Sequence, residues 1–115
     1  MPLSADLLIH LLSAPHFDRS AWMAVSSAHL HLRFGNEAVL VEQVVSLDRL
    51  ERWLSGVQTF GATFLEHWQR REAIFIEADV QPLDHQAVTP CAIVVRMSRG
   101  KLLDARVYID RCTEG

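Results

Sequence analysis

Residues 74–110 read IFIEADVQPLDHQAVTPCAIVVRMSRGKLLDARVYID. Apolar and polar residues alternate along three runs, which two turn signals separate, LDHQ at 83–86 and SRGK at 98–101. Alternation with period two marks strands half-buried against a core. Ile74, Ile76, Ala78 and Val80 fall on one face of the first run, and Phe75, Glu77, Asp79 and Gln81 on the other. Gly100 supplies the left-handed residue of the second turn. The first turn has no glycine, but Asp84 and His85 tolerate that conformation better than most residues. The stretch predicts a meander of three antiparallel strands ending in Arg106-Val107-Tyr108-Ile109-Asp110.

Upstream the pattern changes to helical spacing. Leu7, Leu8, Leu11 and Leu12 share one face of a helix predicted over residues 4 to about 14, with Ser4 as N-cap and Pro15 as its stop. Asp18 caps a second helix, to about residue 26, with Phe17 and Trp22 placed as a hydrophobic staple. His29 to Phe34 alternates strictly, so Leu30, Leu32 and Phe34 face the core and His29, His31 and Arg33 face away. Gly35-Asn36 marks a turn, and residues 38–44 read as a short second strand. A third helix is expected over residues 46 to about 54, capped by Ser46, with Leu47, Leu50, Trp53, Leu54 and Val57 on one stripe and Asp48, Arg49, Glu51 and Arg52 outside it. Later strands are expected near 62–69, 73–80, 88–97 and 102–111. Helices first and an antiparallel meander after them define an α+β domain, one curved sheet wrapping around three N-terminal helices.

The composition fits this. A chain of 115 residues, half of them apolar and 22% charged, suits one domain spanning residues 1–115. The net charge is -3, and no Lys/Arg stripe suggests a nucleic-acid partner. The apolar runs are too short for a bilayer span, and the N-terminus lacks the basic segment of a signal peptide. Two cysteines, Cys91 and Cys112, make no disulfide scaffold, so a cytoplasmic location is expected.

RFGN after the first strand, the third helix, IEADV, TPC, SRGK and RVYID occur in an order that resembles the nuclear transport factor 2-like superfamily. Within it, the chain is similar to the SnoaL-like cyclases and the ketosteroid isomerase-like domains. The resemblance covers nearly the whole chain. It implies a cone-shaped roll (cystatin-like) with an apolar pocket at its open end, and a homodimer through the outer face of the sheet. It does not imply a reaction, because one fold hosts many chemistries. Carried over position by position, the isomerase base falls on Phe34 or Arg33, the helix-one tyrosine near His10, and the second isomerase acid on Ala92. The epoxide hydrolase acid falls near Val107, and its Arg-x-Asp pair near Ala78 and Val80. The cyclase acid falls nearest Val107 or Asp110, so Asp110 is the surviving acid.

Three residues are therefore candidate proton carriers: Asp110, His67 and His10. An acid in an apolar pocket acquires a raised pKa, and histidine titrates near neutrality. Each has a plainer reading. Asp110 alternates with Val107 and Ile109 and falls with the outer residues Arg106 and Tyr108. His67 adjoins Trp68, and the larger apolar surface of Trp68 is expected to take the pocket side. His10 sits towards the polar side of its helix. His29 and His31 share one strand face, but no further ligand motif accompanies them, and no metal or cofactor is expected. Cys91 has no identifiable base and reads as a buried thiol. Trp22, Leu32, Phe34, Trp53, Phe64, Trp68, Ile76, Ala78, Val107 and Ile109 are the expected pocket lining, or else plain core. The leading expectation is a domain that binds a small apolar molecule. An enzyme moving a proton on a carbonyl compound comes second, and a dimerisation module with a filled cone third.

Overall fold

A computed structural model of the chain describes residues 3–57, 64–81 and 88–109. The elements follow in the order α1 (Ala5–Ser13), α2 (Arg19–Val25), β1 (Ser26–Phe34), α3 (Gln43–Ser55), β2 (Phe64–Arg70), β3 (Ala73–Val80), β4 (Thr89–Ser98) and β5 (Lys101–Ile109). Two of the three expected caps form. The Leu7 amide donates to the Ser4 hydroxyl at 3.2 Å, and the Ala21 amide donates to Asp18 Oδ1 at 3.1 Å. Each satisfies an amide that the first helical turn leaves without a partner. Phe17 stacks on Trp22 with ring centroids 5.8 Å apart, the staple expected across the α2 start.

The sheet order is β1-β5-β4-β3-β2. The pairs β2·β3, β3·β4 and β4·β5 are antiparallel, whereas β1 lies parallel to β5. The β4–β5 hairpin closes through Arg99 and Gly100, both at positive φ, 55° and 77°. That conformation matches the right-handed twist of the flanking strands. The register shifts within β1·β5, β2·β3 and β4·β5. Such irregularities bend strands, and the sheet is accordingly curved and open.

The period-two pattern is realised face by face. Ile74, Ile76, Ala78 and Val80 are buried on β3, Cys91, Ile93, Val95 and Met97 on β4, and Leu102, Ala105 and Val107 on β5. All of them except Ala78 pack with Leu8, Leu11 and Leu12 of α1, Trp22 and Val25 of α2, and Leu47, Leu50 and Trp53 of α3 in one cluster. Each large apolar side chain so buried contributes about 1.5–3 kcal/mol.

Three expectations need correction. Residues 38–44 do not form a strand. They contribute one antiparallel bridge, Leu32 with Leu40, whose amides and carbonyls exchange hydrogen bonds of 2.9 and 2.8 Å. The true neighbour of β1 is β5, from the far end of the chain. Next, α3 begins at Gln43 rather than after Ser46. Gln43 Nε2 donates to the Met23 and Ser26 carbonyls at 3.2 and 3.1 Å, which ties the helix start to the end of α2. Ser46 is no cap: its hydroxyl is buried and donates to the Leu30 carbonyl at 2.9 Å, pinning α3 to β1.

The third correction concerns β2. Its residues pair as Trp68 with Phe75 and His67 with Ile76. Ile76 is buried against the helices, so His67 takes the concave side and Trp68 the outer face, the reverse of the expectation. Trp68 stacks on Phe75 at 6.0 Å and stays 47% exposed. The fixed face of β3 decided this, not the relative apolarity of the two neighbours.

Candidate functional site

Two spaces lie between helices and sheet. The inner one is small, about 20 Å³, and is walled by apolar side chains that include Leu8, Leu12, Trp22, Leu32, Leu50 and Trp53. A volume of that order holds about one water, and an apolar wall offers a water no partners. Among the described residues the heart of the cone is therefore filled by the protein's own side chains. The indole N–H of Trp22, in a residue 1% exposed, has no hydrogen-bond partner there.

The second space, about 170 Å³, opens where the ends of β1 and β5 meet α3. Its apolar wall is Phe34, Trp53, Val107 and Ile109, and its polar wall is Glu37 and Arg49 beside Gly35. The parallel pairing of β1 with β5 builds it. Phe34 is registered with Val107, and the Gly35 amide donates to the Val107 carbonyl at 2.8 Å. The chain then turns through Gly35 at φ 52°, and the Glu37 amide returns to the Phe34 carbonyl at 2.8 Å. A Cβ on Gly35 would meet nothing within 4 Å, so glycine serves the turn's backbone angle rather than a shortage of room.

Arg49 and Trp53 stand one helical turn apart on α3 and so face the same way. The Trp53 ring meets Phe34 edge-on with centroids 5.3 Å apart. The Arg49 guanidinium lies over the Phe34 ring, 4.1 Å from its centroid. Its Nη2 donates to both carboxylate oxygens of Glu37, at 3.3 and 3.2 Å. A cation is thus held over an aromatic floor, with a carboxylate beside it.

The expected site residues separate into groups. Trp22 and Leu32 line the inner cavity, Phe34 and Ile109 the mouth, and Trp53 and Val107 both. Ile76 and Ala78 are buried on β3 and line neither space. Trp68 lies on the outer face, as corrected above. Asp110 and the side chain of Phe64 fall outside the described residues. His67 faces α1 at the sheet edge, with its Nε2 3.7 Å from Asp6 Oδ1, and both side chains are open to solvent. His10 is exposed in the last turn of α1. Neither histidine lines the mouth or the inner cavity.

Sequence reasoning missed Arg49 and Glu37. Arg49 stood outside the apolar stripe of its helix. The available signal was its spacing of four from Trp53.

Burial pushes the Cys91 thiol up to about 12, so it carries no thiolate near neutrality and is no nucleophile. Among the described residues, no three His, Cys, Asp or Glu side chains gather as metal ligands would. No helix there is long and apolar enough to cross a membrane.

No protein-family model matches the chain, and no curated protein matches it. Solved structures do. A SnoaL-like candidate polyketide cyclase from Jannaschia sp. CCS1 superposes with TM-score 0.74 at 10% identity, over 91% of this chain and 83% of that one. A nuclear transport factor 2-like protein of unknown function from Cytophaga hutchinsonii gives 0.73 at 10% identity, over 96% and 93%. An epoxide hydrolase from M. tuberculosis gives 0.68 at 14% identity, over 90% and 79%. The chain has the nuclear transport factor 2-like fold. Proteins of this fold differ in activity, so function must be argued from the site.

Proposed function

We propose that this domain binds a small molecule whose apolar body enters the mouth of the cone, between Phe34, Trp53, Val107 and Ile109. The observation that carries the proposal is the size and lining of that space, about 170 Å³ with a mostly apolar wall. An apolar space of about 150 Å³ accommodates one benzene ring. The fit is to a single ring or a short branched chain rather than to a fused polycycle, since the inner cavity adds only about 20 Å³. The described part of the site favours binding over proton transfer. Its one carboxylate, Glu37, is exposed and already engaged by Arg49.

The test uses ligand-observed NMR with a panel of single-ring fragments, on the wild type and on Ile109→Trp. Ile109 is 37% exposed, so a larger side chain there obstructs the mouth without overpacking the core. Binding to the wild type and its loss in the folded variant support the proposal. Binding unchanged by Ile109→Trp contradicts it.

A second reading, a dimerisation module, has its own support. The outer face carries Trp68, 47% exposed, stacked on Phe75, with Val94 next in the same cross-strand row and Tyr108, 45% exposed, nearby. Exposed aromatic surface of this kind is a common mark of association. A homodimer through this face leaves the mouth pocket open, so the two readings are compatible.

A further inference from the structure

We infer that the ligand of the mouth pocket is an anion, a small ring-bearing or branched carboxylate whose charged end is held by Arg49. The inference rests on the mouth being a ligand site and adds the chemistry of what enters it. Arg49 is the only cation among the described residues lining the pocket. Its guanidinium is oriented in advance by the Phe34 ring beneath it, so little side-chain freedom remains to be lost on binding. All its hydrogen bonds among the described residues leave from Nη2 and go to Glu37. Among the described residues the donors on Nε and Nη1 are unused. Guanidinium matches a carboxylate through two parallel N–H···O bonds, and one nitrogen shared between both oxygens of Glu37 is a poorer arrangement.

Glu37 acts as a stand-in for the ligand. Its side chain is 59% exposed on the turn after β1, and an exposed ion pair of this kind contributes little. An incoming carboxylate can displace it, or share the guanidinium through the unused donors. The apolar body then covers Trp53, Val107 and Ile109. Arg33 adds positive charge beside the pocket, because its Nε donates to the Gly35 carbonyl at 3.1 Å. An amide or alcohol of the same shape gains the apolar contact without the ionic one.

The test is titration calorimetry with benzoate, benzamide and toluene on the full chain. The wild type is expected to bind benzoate at least about tenfold more tightly than benzamide, as a charge-assisted bidentate contact requires. Arg49→Gln is expected to bring the two to parity and leave benzamide unchanged. Glu37→Gln, which removes the competitor, is expected to tighten benzoate several-fold and not benzamide. A merely structural role for the pair would move both probes together. Equal binding of benzoate and benzamide by the wild type, or a benzoate preference that survives Arg49→Gln, overturns the inference and leaves the mouth as a ligand site. Toluene binding alone does the same. Failure of all three probes to bind overturns the inference together with the binding function.

Discussion

The Arg49 guanidinium lies 4.1 Å from the centroid of the Phe34 ring, and this contact joins α3 to the end of β1 at the mouth of the cone. A base there would accept a proton. A ring there gives a cation a floor and keeps the site apolar. A double-mutant cycle with Phe34→Leu and Arg49→Gln should give a coupling of about 0.5–1 kcal/mol in urea unfolding, the range of a partly exposed cation–π pair. Additive effects would mean the contact stores no energy.

Ser46 offers a test of how α3 is held. Its buried hydroxyl donates to the Leu30 carbonyl at 2.9 Å. Ser46→Ala removes that donor at a fully buried site, and should cost about 1–3 kcal/mol in denaturant unfolding. A residue acting as an exposed helix cap would lose less, and a cost under about 0.5 kcal/mol would contradict the pin.

Cys91 gives the fold a dependence on alkaline pH. Burial raises its pKa from the ordinary thiol value of about 9.0 to about 12. Between those values the unfolded chain has released the proton while the native chain still holds it. The contribution is therefore complete below pH 9 and is lost as pH rises towards 12, up to about 4 kcal/mol in all. The stability difference between wild type and Cys91→Ala should shift against the wild type across that window. Parallel profiles would show that the thiol titrates normally.

On the outer face, Trp68→Lys tests the dimer. It places a charge in the row that runs from Trp68 through Phe75 to Val94. Sedimentation velocity over a concentration series should show self-association for the wild type and not for the variant. Monomer stability should fall by only about 0.5–1.5 kcal/mol, the worth of the Trp68–Phe75 stack, so the variant stays folded. Identical sedimentation of the two proteins would move any interface elsewhere.

The meander was legible because its alternation is strict and its face is fixed by Ile74, Ile76 and Val80, each buried as read. The caps at Ser4 and Asp18 were legible because capping is local chemistry. What failed was set by distant partners. Residues 38–44 alternate weakly, and only the parallel arrival of β5 shows that β1 needs no second full neighbour. Ser46 looks like a cap until Leu30 is seen opposite its hydroxyl. His67 and Trp68 carry no alternation that chooses between them, so pairing with β3 had to choose. The mouth pocket was half legible. Phe34, Trp53, Val107 and Ile109 follow from strand and helix faces, but Arg49 reads as surface until the fold lays it on Phe34.

The mouth between Phe34, Trp53, Ile109 and Arg49 is the proposed ligand site. A crystal structure of the protein soaked with benzoate tests it most directly. The expected result is a ring between Trp53 and Ile109 with its carboxylate within hydrogen-bond distance of Arg49. A vacant mouth, with benzoate bound elsewhere or not at all, would contradict it.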